Sequence, residues 1–131
     1  MRKLLSIVCC AMILFTVSSC TKQYVTPNTN QTILINLSSS EWKTDDGGKT
    51  WSAPEDMPEI DDYFNDHGGV LVYLSFTPGV YEQVPETYQG VAYSYTHNLH
   101  NITLYAQASD GVSTITAPDA ASLKIVLVDS N

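Results

Sequence analysis

From Thr32 to the C-terminus, apolar and polar residues alternate at period two, a spacing that builds strands and not helices. Ile33, Ile35 and Leu37 share one face of a first strand, and Val70, Val72, Leu74 and Phe76 do the same in GVLVYLSF. Val91, Tyr93 and Tyr95 follow, then Ile102, Leu104 and Ala106, and finally Leu123, Ile125 and Leu127. Turn signals separate these runs: Asp46-Gly47-Gly48, His67-Gly68-Gly69, Pro78-Gly79, Gln89-Gly90 and Asp110-Gly111. The pattern predicts an all-β domain, an antiparallel β-sandwich (immunoglobulin-like or jelly-roll-like) of about seven to eight strands. Pro58 to Asn65 (PEIDDYFN) is the one stretch with helical character, and a loop or single turn fits it equally well. The segment VYEQVPETYQG, flanked by Tyr81 and Tyr88, reads as a loop.

The N-terminus carries a different signal. Arg2 and Lys3 precede a 14-residue apolar run, Leu4 to Val17, and then Val17-Ser18-Ser19-Cys20. A basic start, a short apolar run and small residues before a cut are the parts of a secretory signal. The run is shorter than the roughly 18–20 apolar residues that span a membrane. Val-Ser-Ser-Cys resembles the lipobox of bacterial lipoproteins. That resemblance implies removal of residues 1–19 and a diacylglyceryl thioether on Cys20, which would hold the protein on the bacterial outer membrane. Residues 20–31 then form a lipidated, polar tether of about 18 Å, and 32–131 a single domain.

Export also changes the inventory of side chains. Cys9 and Cys10 leave with the signal and lipid consumes Cys20, so the mature chain has no free thiol. Four lysines stand against 14 carboxylates, a formal charge of −10, with no arginine. Nucleic-acid binding is excluded, because phosphate backbones require clustered Lys and Arg.

Thr44-Asp45-Asp46-Gly47-Gly48-Lys49-Thr50-Trp51 resembles the Asp-box, a turn found in sialidase-like propellers. It implies a structural hairpin in which Asp46 accepts backbone N–H bonds, Gly48 takes positive φ and Trp51 packs beneath. No catalytic role is carried over. Nine carboxylates lie within residues 41–66, and Asp56, Asp61, Asp62 and Asp66 are the weak calcium candidates among them. Their spacing does not match the twelve-residue calcium loop, and a solvated acidic face accounts for them. His97 and His100, three apart, would face opposite sides of a strand, so no zinc site is expected. No catalytic residues and no cofactor are assigned.

Aromatics remain as candidates for ligand binding. Tyr93 and Tyr95 point with Val91 toward the core. Tyr73, opposite Val72 and Leu74, and Tyr105, opposite Leu104, are surface candidates together with Tyr81 and Tyr88.

Several features occur in one order: a lipobox, a polar tether, a hairpin with Trp42 and Trp51, Pro58-x-Ile60, a Gly69-to-Tyr73 strand and a final Leu123-to-Val128 strand. That order resembles the small lipoproteins of unknown function common in Bacteroidota. The resemblance implies a sandwich on a lipid anchor and no particular activity. Thr21-Lys22-Gln23 lacks the acidic residues associated with surface display in that phylum, so periplasmic and surface-facing orientations both stand. The expected function is a non-enzymatic binding or accessory module with a glycan or envelope-protein partner. A small carboxylate-dependent hydrolase and a purely structural envelope protein are the alternatives.

Overall fold

The computed structural model describes residues 30–130. The signal segment, Cys20 and all but the end of the tether lie outside the described residues. Two four-stranded antiparallel sheets pack face to face as a β-sandwich. One sheet has the order β1 (Gln31–Leu37), β8 (Ala121–Val128), β3 (Gly69–Thr77), β4 (Val80–Val84). The other has the order β2 (Thr50–Asp56), β7 (Asn101–Ala108), β6 (Val91–Asn98), β5 (Glu86–Tyr88). An immunoglobulin domain pairs its first strand with its second; here β1 pairs with β8.

The central strands obey the alternation most strictly. Leu123, Ile125 and Leu127 of β8 and Ile102, Leu104 and Ala106 of β7 are all buried, while the residues between them face outward. Burial of each such Leu or Ile stabilises the fold by about 1.5–3 kcal/mol. Edge strands are different. The stretch read as a loop between Tyr81 and Tyr88 is in fact β4 and β5, which border different sheets. They meet at Pro85, after a cis Val84–Pro85 bond, where the chain passes from one sheet to the other. Their exposed polar residues, Glu82, Gln83 and Thr87, hide the period.

The helical stretch is one short element, α1 (Asp62–His67), displaced toward the C-terminus from the expected span. Asp61 caps it by accepting from the Phe64 N–H at 2.7 Å. HNLHN is a hairpin turn, with His97 in β6 and His100 in the turn at φ +60°. No helix among the described residues is long and apolar enough to cross a membrane.

Strand register gives the sandwich two unlike ends. At one end lie Gln31, α1, the His100 turn and the C-terminal Val128. Residue 30, through which the chain reaches its N-terminal segment, is bonded there: its Oδ1 accepts from the Asp129 N–H at 3.3 Å. At the other end lie the Asp46–Gly48 turn, the Pro78–Gly79 and Gln89–Gly90 turns, and the 109–120 loop.

Candidate functional site

The loop end of the sandwich opens into a cleft of about 340 Å³ between the two sheets. Phe76, at the end of β3, and Tyr88, at the end of β5, form one side. Their rings stack on each other, with centroids 4.8 Å apart and planes 4° from parallel. Tyr93 of β6 adds a third ring, 5.4 Å from Phe76, and is itself packed edge-on against buried Trp42 at 6.2 Å. Phe76 alternates with Leu74 on the inner face, as the pattern requires, but it is only half-buried because the sandwich opens at its level. A second depression of about 330 Å³, reaching toward Ser38 and Ala120, shares the Phe76 ring.

The opposite wall is the irregular segment Ile115 to Asp119. It has no ladder of its own, and the Asp-box hairpin holds it. Asp46 Oδ1 accepts from the Lys49 and Thr50 N–H groups at 3.0 and 2.8 Å and from the Thr44 hydroxyl at 2.9 Å. The Gly48 N–H donates to Thr44 Oγ1 at 3.0 Å, closing the turn. From this rigid turn, Trp51 Nε1–H donates to the Ile115 carbonyl at 3.0 Å, and the Ile115 N–H donates to the Gly48 carbonyl at 2.8 Å. A Cβ on Gly48 would lie 2.8 Å from that same Ile115 oxygen. Asp46, Gly48 and Trp51 therefore form the structural turn expected from the motif, and the turn also sets the position of the cleft wall. Asp110 organises the start of the loop by accepting from the Val112 and Ser113 N–H groups and the Ser113 hydroxyl. These bonds hold its carboxyl down at about 2.

One acidic residue, Asp119, is among those lining the cleft, and Glu86 lies opposite Tyr93 in the β5–β6 ladder, sharing the inward face of β5 with Tyr88. Burial, a hydrogen bond with Glu82 and the charge of Glu82 push the Glu86 carboxyl up to about 7. Burial, followed by the charges of Asp119, Glu86 and Tyr88, pushes the Tyr93 hydroxyl up to about 12, so it remains a donor at neutral pH. Two buried polar atoms among the described residues have no hydrogen-bond partner: Glu86 Oε1 and Trp42 Nε1. Both belong to residues packed beside Tyr93.

The other sequence candidates separate into different places. Of the four tyrosines, Tyr88 alone reaches the cleft. Tyr73 and Tyr81 come together on the outer face of the β1-β8-β3-β4 sheet, where Lys124 Nζ sits 4.6 and 4.0 Å from their ring centroids. Tyr105 stands on the outer face of the other sheet, beside Lys43 and Thr44. Asp56 ends β2, Asp61 caps α1, and Asp62 and Asp66 lie on α1. No three His, Cys, Asp or Glu side chains among the described residues are grouped to hold a metal. His97 Nδ1 instead lies 3.2 Å from the Asn65 amide oxygen. Cys20 lies outside the described residues. Phe76, Tyr93, Gln89, Thr116 and Asp119 escape a reading for sites in the sequence, because four separate segments supply the cleft. The long polar stretch 109–120 is the one local hint, since ordered loops of that length often carry function.

No protein-family model, curated protein or solved structure matches this chain.

Proposed function

We propose that this protein is a non-enzymatic glycan-binding module of the bacterial cell envelope, held on the outer membrane by lipid on Cys20. The observation that carries this reading is the aromatic lining of the cleft by Phe76, Tyr88 and Tyr93. Aromatic faces pack against the C–H face of a pyranose, while a few placed polar groups fix its hydroxyls. Gln89, Thr116 and Asp119 supply donors and acceptors around the same space. Residue 30 lies at the end of the sandwich opposite the cleft, an arrangement consistent with a tethered N-terminus that leaves the cleft open. The carboxylates support a binding role over hydrolysis. Glu82 and Glu86 are hydrogen-bonded to each other, whereas glycoside cleavage places its two carboxyls about 5–9.5 Å apart with substrate or water between them.

Titration calorimetry of the full chain in detergent, against glycans selected on an array, tests the reading. Phe76→Ala or Tyr88→Ala lowers affinity at least about tenfold, the weight of one lost stacking contact. Tyr105→Ala leaves it unchanged. Binding that survives both cleft substitutions overturns the assignment.

A further inference from the structure

A sheet edge carries a row of N–H and C=O groups that a further strand can pair with, and natural sheets blunt such edges with charge, proline, bulges, brevity or cover. Three of the four edges here are blunted. β2 carries Pro54, Glu55 and Asp56, and Lys43 already occupies its rim, exchanging N–H···O bonds of 2.8 Å with Ser52 in both directions. β4 is five residues long, carries Glu82, shifts register against β3 between Leu74 and Thr77, and stops at Pro85. β5 has three residues, Glu86 among them. β1 has none of these devices. Its sequence QTILINL holds no charge, proline or glycine, and it pairs with β8 through all seven residues without a bulge. Among the described residues, only β8 bonds to its backbone.

The side chains of β1 say what fits. Leu34, on the outer face, is 65% exposed, more than any other large apolar residue in a strand. Ile33 and Ile35 face inward against the core yet stay only half-buried, because no strand lies beyond them. Paired antiparallel about Leu34, the strand is complementary to itself. Leu34 meets the partner's Leu34, Ile33 meets the partner's Ile35, and Thr32 meets the partner's Asn36, hydroxyl to amide. No like charges come face to face, although the chain as a whole carries a formal charge of −8 that sets copies against one another elsewhere. We infer that β1 is a self-association edge: two copies pair β1 to β1 about a two-fold axis at Leu34 and join their β1-β8-β3-β4 sheets into one of eight strands. The contact uses the same patch on both copies, so it closes at two. It takes none of the residues lining the cleft, so a dimer leaves both clefts open. A seam of seven paired residues is short, the association is accordingly weak, and covalent trapping reads it best.

The test uses the full chain in detergent with Cys9→Ser, Cys10→Ser and Cys20→Ser, so that every thiol present is an introduced one. Directly opposed residues of an antiparallel pair stand about 4.5–5.5 Å apart between Cα atoms, within disulfide reach. Leu34→Cys therefore oxidises to a covalent dimer at least about tenfold faster than Val112→Cys, an exposed control in the 109–120 loop. Thr32→Cys and Asn36→Cys cross-link when mixed but not singly, because each is four positions, about 13 Å, from its own copy. Adding Leu34→Lys to both members of that mixture sets like charges opposite one another beside Lys124 and cuts the cross-link at least about tenfold. Unchanged far-ultraviolet circular dichroism shows that the strands remain. Leu34→Cys dimerising no faster than Val112→Cys overturns the inference, since the edge is then covered by the chain's own N-terminal residues or kept for another protein. Thr32→Cys cross-linking alone as readily as in the mixture overturns it too, as does a cross-link indifferent to Leu34→Lys, because contact then runs through another part of the chain. The result is independent of what enters the cleft.

Discussion

Gly48→Ala probes the link between the hairpin motif and the cleft wall. Two costs arise. Gly48 has φ +91°, a conformation that an L side chain occupies at about 1–2 kcal/mol. Its new Cβ would also lie 2.8 Å from the Ile115 oxygen, which is backbone and cannot rotate away. Relief requires the Ile115 segment to move, weakening the Trp51 Nε1–Ile115 O and Ile115 N–Gly48 O bonds. Each of these is worth about 1 kcal/mol net, so the whole substitution costs about 2–4 kcal/mol. Gly47→Ala is the internal control: φ is +73°, but nothing lies within 4 Å of its Cβ. It bears the conformational cost alone, about 1–2 kcal/mol. Urea denaturation of both variants measures the difference, and at a slope of about 1–3 kcal/mol per molar their midpoints separate clearly. Gly48→Ala also weakens ligand binding, because the wall carrying Asp119 shifts, whereas Gly47→Ala does not. Equal destabilisation by the two alanines would refute the claim that the hairpin holds the wall.

Further outcomes follow from the same geometry. The folded state raises Glu86 to about 7 from an ordinary 4.5, so it binds that proton more tightly than the unfolded chain. The stability this contributes is full below about pH 4.5, falls as pH rises toward 7 and is flat above. Glu86→Gln is therefore more stable than the parent at about pH 8, by on the order of 1 kcal/mol once solvent screening of this part-exposed group is allowed for. It matches the parent near pH 4, as urea midpoints at the two pH values check. Trp51→Phe keeps an aromatic six-membered ring but removes the pyrrole ring and its N–H, leaving the Ile115 carbonyl without its donor and costing at least about 1 kcal/mol in thermal or urea unfolding. On the proposed lipid anchor, Cys20→Ala moves the protein from the membrane fraction to the soluble fraction of fractionated cells.

Much of the architecture is legible in the residues, for physical reasons that differ by element. β3, β7 and β8 bury one face against the opposite sheet, so selection for burial writes period two into Val70–Leu74, Ile102–Ala106 and Leu123–Leu127. The Asp46–Gly48 turn is legible because its bonds close within seven residues, from Thr44 to Thr50. β4 and β5 are not, because they border their sheets, bury only Val84 fully and are broken by Pro85. The cleft is the least legible feature. Phe76 looks like one more inward residue of β3, and it is the missing cover at the sandwich end that turns it into a wall. Ile115 meets Trp51 across 64 positions, and only the three-dimensional register brings them together. Tyr88 is identifiable as an aromatic of interest, but its partner ring and the cleft's Asp119 come from other segments.

Amide chemical-shift mapping of the isotope-labelled full chain, titrated with the glycan selected on the array, tests the central claim most directly. The account predicts saturable shifts confined to Phe76, Tyr88, Gln89, Tyr93 and Thr116 to Asp119. Shifts centred on Tyr105, or on Tyr73, Tyr81 and Lys124, with the cleft residues unmoved, would contradict it.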